Sequence, residues 1–524
     1  MPRSPSGFRK LRRVLIAATG VLALAGPASA DVIIDWNNVL LDTIRATGGP
    51  PCPIARAGAL MHVAMYDAVN SIERTHEPYL SLLTPPAGTS AVAAAAAASH
   101  HILVALYPAR EAICDAALAQ SLLAVPDGAA ENDGVLLGVA VAEALLIARA
   151  NDGTSPDPIY PIGSNPGDWI PTFPDFTSPP FTPGWGNSLP WTMTSGSQFR
   201  PIGPAGYTNM ADLLASPEYA AQVAEVQELG ALNSTTRTAY ETETAFFWAN
   251  DVNGTFKPPG HLNYITQVVA TDQGLSMPEN ARLFALVNLA LGDAGLVAWD
   301  AKYLTDIDLW RPISAIRLAD TDSNPATVAD PTWEPLNPFT PPFPAWVSGH
   351  ATFGATHASV MAGFFGTNNI NFTITSDDTP GVFRTYDTFS EAAIENGRSR
   401  IFLGVHFSFD ADDAYVAGTS LGNHVVANFL RPVGEYIRGD VNLNGILNIG
   451  DPIWTLDELF GGGPATICES AVDVNGDDRR DLSDPVYSLS YLFMAGPAPP
   501  APFPACGSVP SAGLYCPPGS TVCP

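Results

Sequence analysis

Apolar residues return every three or four positions through 54–73, 89–106, 130–150, 236–249, 279–303 and 350–365, all rich in Ala, Leu and Val. That is the period of an α-helix with one buried face. Strand-like alternation is scarce before residue 430. Between 151 and 207, Pro, Gly, Trp and Phe crowd the chain and interrupt regular structure. A free linker would be poorer in aromatics, so this stretch is expected to wrap over the helices. Residues 31–432 are therefore expected to form an all-α domain, a helical bundle with one long irregular excursion.

The two ends read differently. Arg3, Arg9, Lys10, Arg12 and Arg13 precede an apolar run from Val14 to Gly26, and Ala28-Ser29-Ala30 supplies a small-residue cleavage pattern. Residues 1–30 thus read as a signal peptide, its apolar run too short to span a bilayer. No second run of that kind follows, so a secreted, periplasmic or cell-surface protein without a membrane span is expected. The net charge of −28, from 52 acidic and 24 basic residues, excludes nucleic acid and anionic membranes as natural partners. Of six cysteines, Cys468, Cys506, Cys516 and Cys523 lie near the C-terminus, where export makes disulfides possible. There is no CxxC pair, which argues against a zinc or redox motif.

After Pro432 the composition shifts to Asp, Asn and Gly in two stretches that repeat at a spacing of 33 residues, Asp440 to Asp451 and Asp473 to Asp484. Each is followed by an apolar, helix-like run ending in Leu-Phe. Calcium loops of the EF-hand kind present oxygens at positions 1, 3, 5, 7, 9 and 12. Those positions are Asp440, Asn442, Asn444, the Ile446 carbonyl, Asn448 and Asp451 in the first loop. In the second they are Asp473, Asn475, Asp477, the Arg479 carbonyl, Asp481 and Asp484. Gly445 stands at the sharp sixth position, where the second loop has Asp478 and is expected to bind more weakly. Asp at position 12 and the paired layout resemble dockerin type I repeats. The resemblance implies calcium, a small EF-hand-like module over 433–506, and a cohesin-like or cell-surface partner. Residues 507–524 are left as a Cys-containing tail.

Three further segments carry the chemistry. They are A-K-Y-L-T-D-I-D-L-W-R-P from Ala301 to Pro312, F-P-A-W-V-S-G-H from Phe343 to His350, and S-R-I-F-L-G-V-H-F-S-F-D from Ser399 to Asp410. Together they offer Lys302, Arg311, Arg400, the Ser348 hydroxyl, the Gly349 amide, His350 and His406. Arginine forks bind paired oxygens, lysine adds a point charge, and a glycine amide approaches unhindered, so the set suits a tetrahedral or trigonal-bipyramidal oxyanion. One histidine can attack or coordinate the central atom while the other moves protons. Arg400 and His406 would face different ways on one helix, so Gly404 is expected to end the first helix between them.

In order and spacing these segments resemble the signature of the vanadium haloperoxidases and type 2 phosphatidic acid phosphatases. The third fits SR-x5-H-x3-D at every fixed position, and the second fits PSGH except for Val347. The first has two residues more than the family pattern between Lys302 and Arg311. On a continuous helix that would turn Lys302 by about 200°. W-G-N (185–187), Q-F-R-P (198–201) and P-P-G-H (258–261) extend the likeness to exported bacterial members. The resemblance implies vanadate held by Lys302, Arg311, Ser348, Gly349 and Arg400, with His406 as apical ligand and His350 as acid–base group. Asp410 is expected to cap the next helix or orient the imidazole. It implies oxidation of halide by hydrogen peroxide to hypohalous acid, with a small organic substrate downstream. Phe343 and Trp299 match the chloroperoxidase pattern. Phosphate ester hydrolysis through a His406 nucleophile is one alternative, and a surface-tethered protein whose main role is docking is another. Gly418 to Gly422 fits GxSxG, but lies in an apolar helical run without the preceding strand that motif needs. His62, His100, His101, His261, His357 and His424 read as core, cap or surface residues.

Overall fold

The computed structural model describes residues 31–510, 513–519 and 523; the expected signal peptide lies outside them. Each of the six periodic segments is helical, and the helix Met277–Tyr303 is the axis of the bundle, with Pro51–Glu73 and Gly349–Phe365 packed directly on it. Its start is set by sequence: Pro278 follows Ser276, whose backbone N–H donates to the Glu279 carboxylate at 2.8 Å. Nearly every side chain from Asn280 to Tyr303 is buried. This helix is long and apolar enough to cross a membrane, contrary to the expectation of no second such run. Its apolar surface is spent inside the bundle, against Pro51–Glu73, Gly349–Phe365 and Ser408–Asn428.

Small residues set how closely the helices approach. Ala93 to Ala98 are buried where Ala91–Leu106 meets Ala129–Ala148, and a Cβ on Gly134 would lie 2.8 Å from that of Ala93. Gly418 of the GxSxG pattern sits in Ser408–Asn428 and faces Thr352 and Thr356, so those small residues serve helix packing. Among the described residues the strands form one short antiparallel hairpin, Phe372–Thr375 with Phe383–Tyr386. Additional helices include Val32–Thr47, Pro217–Leu229 and Lys257–Gln273.

The 151–207 excursion carries only short 3-10 turns and is bonded to the axis. The buried Asp293 carboxylate accepts from the Trp191 and Thr192 amides at 2.8 and 2.7 Å. Trp169 N–H donates to Asp308 O and Trp310 N–H to Gly167 O, both at 2.7 Å. The extra residues between Lys302 and Arg311 thus pair with the excursion.

After residue 432 the two repeats carry the helices Gly450–Leu456 and Ser483–Met494, which pack together. The loops share one backbone path. Leu443 and Gly445 have φ of 58° and 89°, and their counterparts Gly476 and Asp478 have 74° and 62°. Asp tolerates this left-handed region better than most residues, so Asp478 keeps the turn that was expected to weaken the second loop. Residues past 506 belong to this module: Cys468–Cys516 and Cys506–Cys523 are disulfides, and Tyr436 and Gly507 exchange backbone hydrogen bonds. The Glu77 carboxylate accepts both Arg431 forks at 2.8 Å where the module joins the bundle.

Candidate active site

Lys302 stands in the last turn of the axial helix, which ends at Tyr303. The rotation expected of a continuous helix therefore does not arise, and the chain turns to bring Arg311 to the start of Pro312–Arg317. Both side chains are fully buried. Main-chain oxygens hold them. Lys302 Nζ donates to Pro344 O and Ala345 O at 2.7 and 2.9 Å, and Arg311 to Phe343 O and Val405 O, both at 2.7 Å. Burial and the Arg311 charge push the Lys302 ammonium well below the usual lysine range.

The segment around His350 enters from the facing helix. Ser348 caps Gly349–Phe365, and a Cβ on Gly349 would lie 3.3 Å from the Trp299 ring, so only glycine fits without a shift there. His350, in the first helical turn, bonds through Nε2 to Ala249 O at 3.0 Å. A carbonyl only accepts, so Nε2 carries the proton and Nδ1 is the basic nitrogen. Burial and then Arg400 lower its pKa to about 4.

Arg400 and His406 come from either side of a turn. Phe389–Phe402 ends, Gly404 adopts φ 76°, and Ser408–Asn428 begins. A Cβ on Gly404 would lie 2.6 Å from Gly230 O, so both backbone and space demand glycine. Asp410 does both jobs expected of it. Its Oδ2 accepts from Phe407 N at 3.0 Å and from His406 Nδ1 at 2.8 Å. His406 Nε2 then accepts from Arg311 Nη1 at 3.1 Å. Burial, Arg311 and Lys302 keep this imidazole neutral, while burial pushes the Asp410 carboxyl up to about 7.

Three guanidinium nitrogens, Arg311 Nη2 and Arg400 Nε and Nη1, are buried with no hydrogen-bond partner. Unpaired buried donors are costly, and these belong to two cations beside a neutral histidine. A small polyoxygenated anion is the ligand that would satisfy them. A cavity of about 260 Å³ adjoins them, with His350, Arg400 and His406 on its wall beside Phe181, Trp299, Phe343 and several prolines. Trp299 and Phe343 touch, ring centroids 5.1 Å apart.

Two charged wall residues had no signal in the sequence. Asp251, in the loop before Lys257–Gln273, accepts from Arg400 Nη2 at 2.7 Å and lies 4.0 Å from His350 Nε2. Lys257 also lines the cavity. His261, the closest of the remaining histidines to that loop, is buried between Asn250 and Thr375 and serves the core.

In the C-terminal loops Asp440, Asp451, Asp473 and Asp484 are buried. Asp451 accepts from the amides of Val441, Asn442 and Asn448, and Asp484 from those of Val474 and Asp481. Asn442 Oδ1 is buried without a partner. Asn444 and Asn448 accept from Ile446 N and Gly450 N. In the second loop Arg438 bonds Asp473 Oδ2 at 2.9 Å, while Asn475, Asp477 and Asp481 are engaged with Ser483 Oγ, Arg479 N and Ser483 N. Among the described residues, no three acidic side chains of that loop bring ligand atoms within 4.8 Å of one another.

Comparison with known proteins places this geometry. The VCPO second helical-bundle domain matches residues 282–435, a span containing Lys302, Arg311, Ser348, Gly349, His350, Arg400 and His406. Vanadium chloroperoxidase of Curvularia inaequalis is 30% identical over 493 residues, 73% of this chain and 79% of that protein. The fold is that of a bacterial vanadium-dependent iodoperoxidase, with TM-score 0.65 at 23% identity over 77% of this chain and 98% of the other. An apo-type bacterial vanadium-dependent chloroperoxidase gives TM-score 0.58 at 18% identity over 73% and 94%.

Proposed function

Since the chain belongs to the vanadium haloperoxidase family, we propose that it is an exported vanadate-dependent haloperoxidase that oxidises halide with hydrogen peroxide to hypohalous acid. The observation that carries this reading is the set of unpaired guanidinium nitrogens on Arg311 and Arg400 beside His406 Nε2. Arg311, Arg400, Lys302, Ser348 and the Gly349 amide would hold the oxygens of vanadate, and His406 Nε2 would be its nitrogen ligand. Vanadate, when bound, supplies a Lewis acid that activates peroxide toward a halide. Asp410 keeps the His406 proton on Nδ1, so Nε2 carries none. His350 Nδ1 receives and returns the peroxide proton, its ring anchored by Ala249. Phe181, Trp299 and Phe343 exclude water where the oxidised halide forms.

One observation favours a second reading. A neutral His406 with a carboxylate behind it is also a nucleophile for phosphorus. Purified protein loaded with vanadate, given peroxide and bromide or iodide, is expected to oxidise the halide. Hydrolysis of a phosphate ester with no gain from vanadate would replace the peroxidase with an acid phosphatase.

For the C-terminal module we propose calcium binding and a docking or tethering role. The buried, unpaired Asn442 Oδ1 beside Asp440 and Asp451 supports the first loop as a site. The second is the weaker because Arg438 neutralises Asp473. Two disulfides and the N-terminal sequence pattern support export.

A further inference from the structure

Lys257 is placed against every local preference. Its φ of 59° is left-handed, a conformation that residues bearing a side chain rarely adopt. The next residue is Pro258, which restricts it further. It opens the helix Lys257–Gln273, and the positive end of the helix dipole disfavours a cation there. It is also 6% exposed, and burial lowers its pKa against the pull of Asp251 and Asp378.

The structural return is small. Among the described residues its ammonium has one hydrogen-bond partner, the Asp251 carbonyl oxygen at 2.5 Å, and it forms no salt bridge. The Asp251 carboxylate is taken by Arg400 at 2.7 Å. Lys257 nonetheless lines the cavity that holds His350, Arg400 and His406. A backbone outlier and a buried ammonium, held by one carbonyl oxygen on the wall of a site, together point to function.

We infer that Lys257 is a specificity-determining residue that binds the incoming halide on the cavity wall, separately from the oxyanion cradle. A halide is spherical, makes no directional demand, and needs a cation with free N–H groups in a poorly screened setting. Lys257 beside Phe181 and Pro258 provides that. The inference rests on the haloperoxidase reading and adds to it a group that acts on the halide and not on peroxide or vanadate.

The test compares wild type with Lys257→Met and Lys257→Arg, all vanadate-loaded. In Lys257→Met the KM for bromide and iodide should rise about tenfold or more, the size expected for losing one charge-assisted contact, with peroxide KM and vanadate affinity staying within about twofold. Lys257→Arg should recover most of the halide affinity. Wild-type crystals soaked in iodide should show an anomalous peak in contact with Lys257 Nζ that Lys257→Met loses. Unmoved halide KM, or halide, peroxide and vanadate constants shifting together, would overturn the assignment, as would the absence of iodide from Lys257. Failure of the haloperoxidase reading would show separately, as wild-type protein without halide turnover; the iodide peak would still decide for or against Lys257.

Discussion

His406 Nδ1 and Asp410 Oδ2 stand 2.8 Å apart across the start of a helix, and the same carboxylate oxygen accepts from the Phe407 amide. One buried group therefore fixes both the tautomer of the imidazole and the point where the helix begins. An amide in its place could donate to Nδ1 and move the ring proton to Nε2, which faces Arg311. Asp410→Asn is expected to lower vanadate affinity and halide oxidation about 10–100-fold. Titration with vanadate and steady-state rates check this; wild-type affinity would remove Asp410 from the orienting role. His406→Ala should abolish vanadate-dependent turnover.

Lys302 is bound to two carbonyl oxygens that have been withdrawn from water. Lys302→Met leaves Pro344 O and Ala345 O without that donor, at a cost of about 1–3 kcal/mol each in stability. A lower Tm is expected together with a loss of activity comparable to that of Arg311→Ala. A variant that is less stable but fully active would show Lys302 to be a frame for the 344–345 turn and no part of the cradle.

His350 is neutral in the ligand-free protein because burial and Arg400 hold its pKa at about 4. A lowered histidine pKa means that the neutral form persists as pH falls from 6.5 and is lost only near 4. An oxyanion between Arg400 and His406 adds negative charge, which favours the imidazolium, so the pKa should rise on loading. Histidine NMR titration with and without vanadate reads the shift. A fall, or no change, would place His350 away from the bound anion.

Calcium should raise the thermal transition of the C-terminal module in the full-length protein, and chelator should lower it, because metal neutralises the buried Asp440 and Asp451 carboxylates. Asp440→Ala should blunt that response more than Asp478→Ala, since Asp478 serves a turn. Halide oxidation should survive chelation. Calorimetry showing no calcium uptake would leave the module held by its disulfides and its helix pair alone.

The helices that could be read from sequence were those whose apolar stripe is uninterrupted, such as Ala129–Ala148 and Gly349–Phe365. Lys257–Gln273 escaped because Pro258, Pro259 and Gly260 open it and hide the period. The hairpin escaped because each strand is four residues long, too short for alternation to register. Within the site, residues in the three segments were legible from order and spacing. Asp251 was not, since it meets Arg400 from 149 positions away and nothing local marks it. The turn that brings Lys302 and Arg311 onto the neighbouring carbonyls of Phe343, Pro344 and Ala345 was equally hidden, because it depends on pairing with Gly167 and Trp169. The return of Cys516 onto Cys468 could not be inferred from spacing, which leaves disulfide connectivity open.

Lys302 and Arg311 hang from the carbonyls of Phe343, Pro344, Ala345 and Val405, Arg311 also reaches His406 Nε2, and Arg400 leans on Asp251. A carbonyl is the same atom whatever residue bears it. The side chains of Pro344, Ala345 and Val405 make none of these bonds, so an exchange there that fits the space leaves the two cations in place, provided that the backbone holds its path. Such an arrangement lets the walls of the cavity be rewritten for a new substrate while the anion-binding frame is inherited intact.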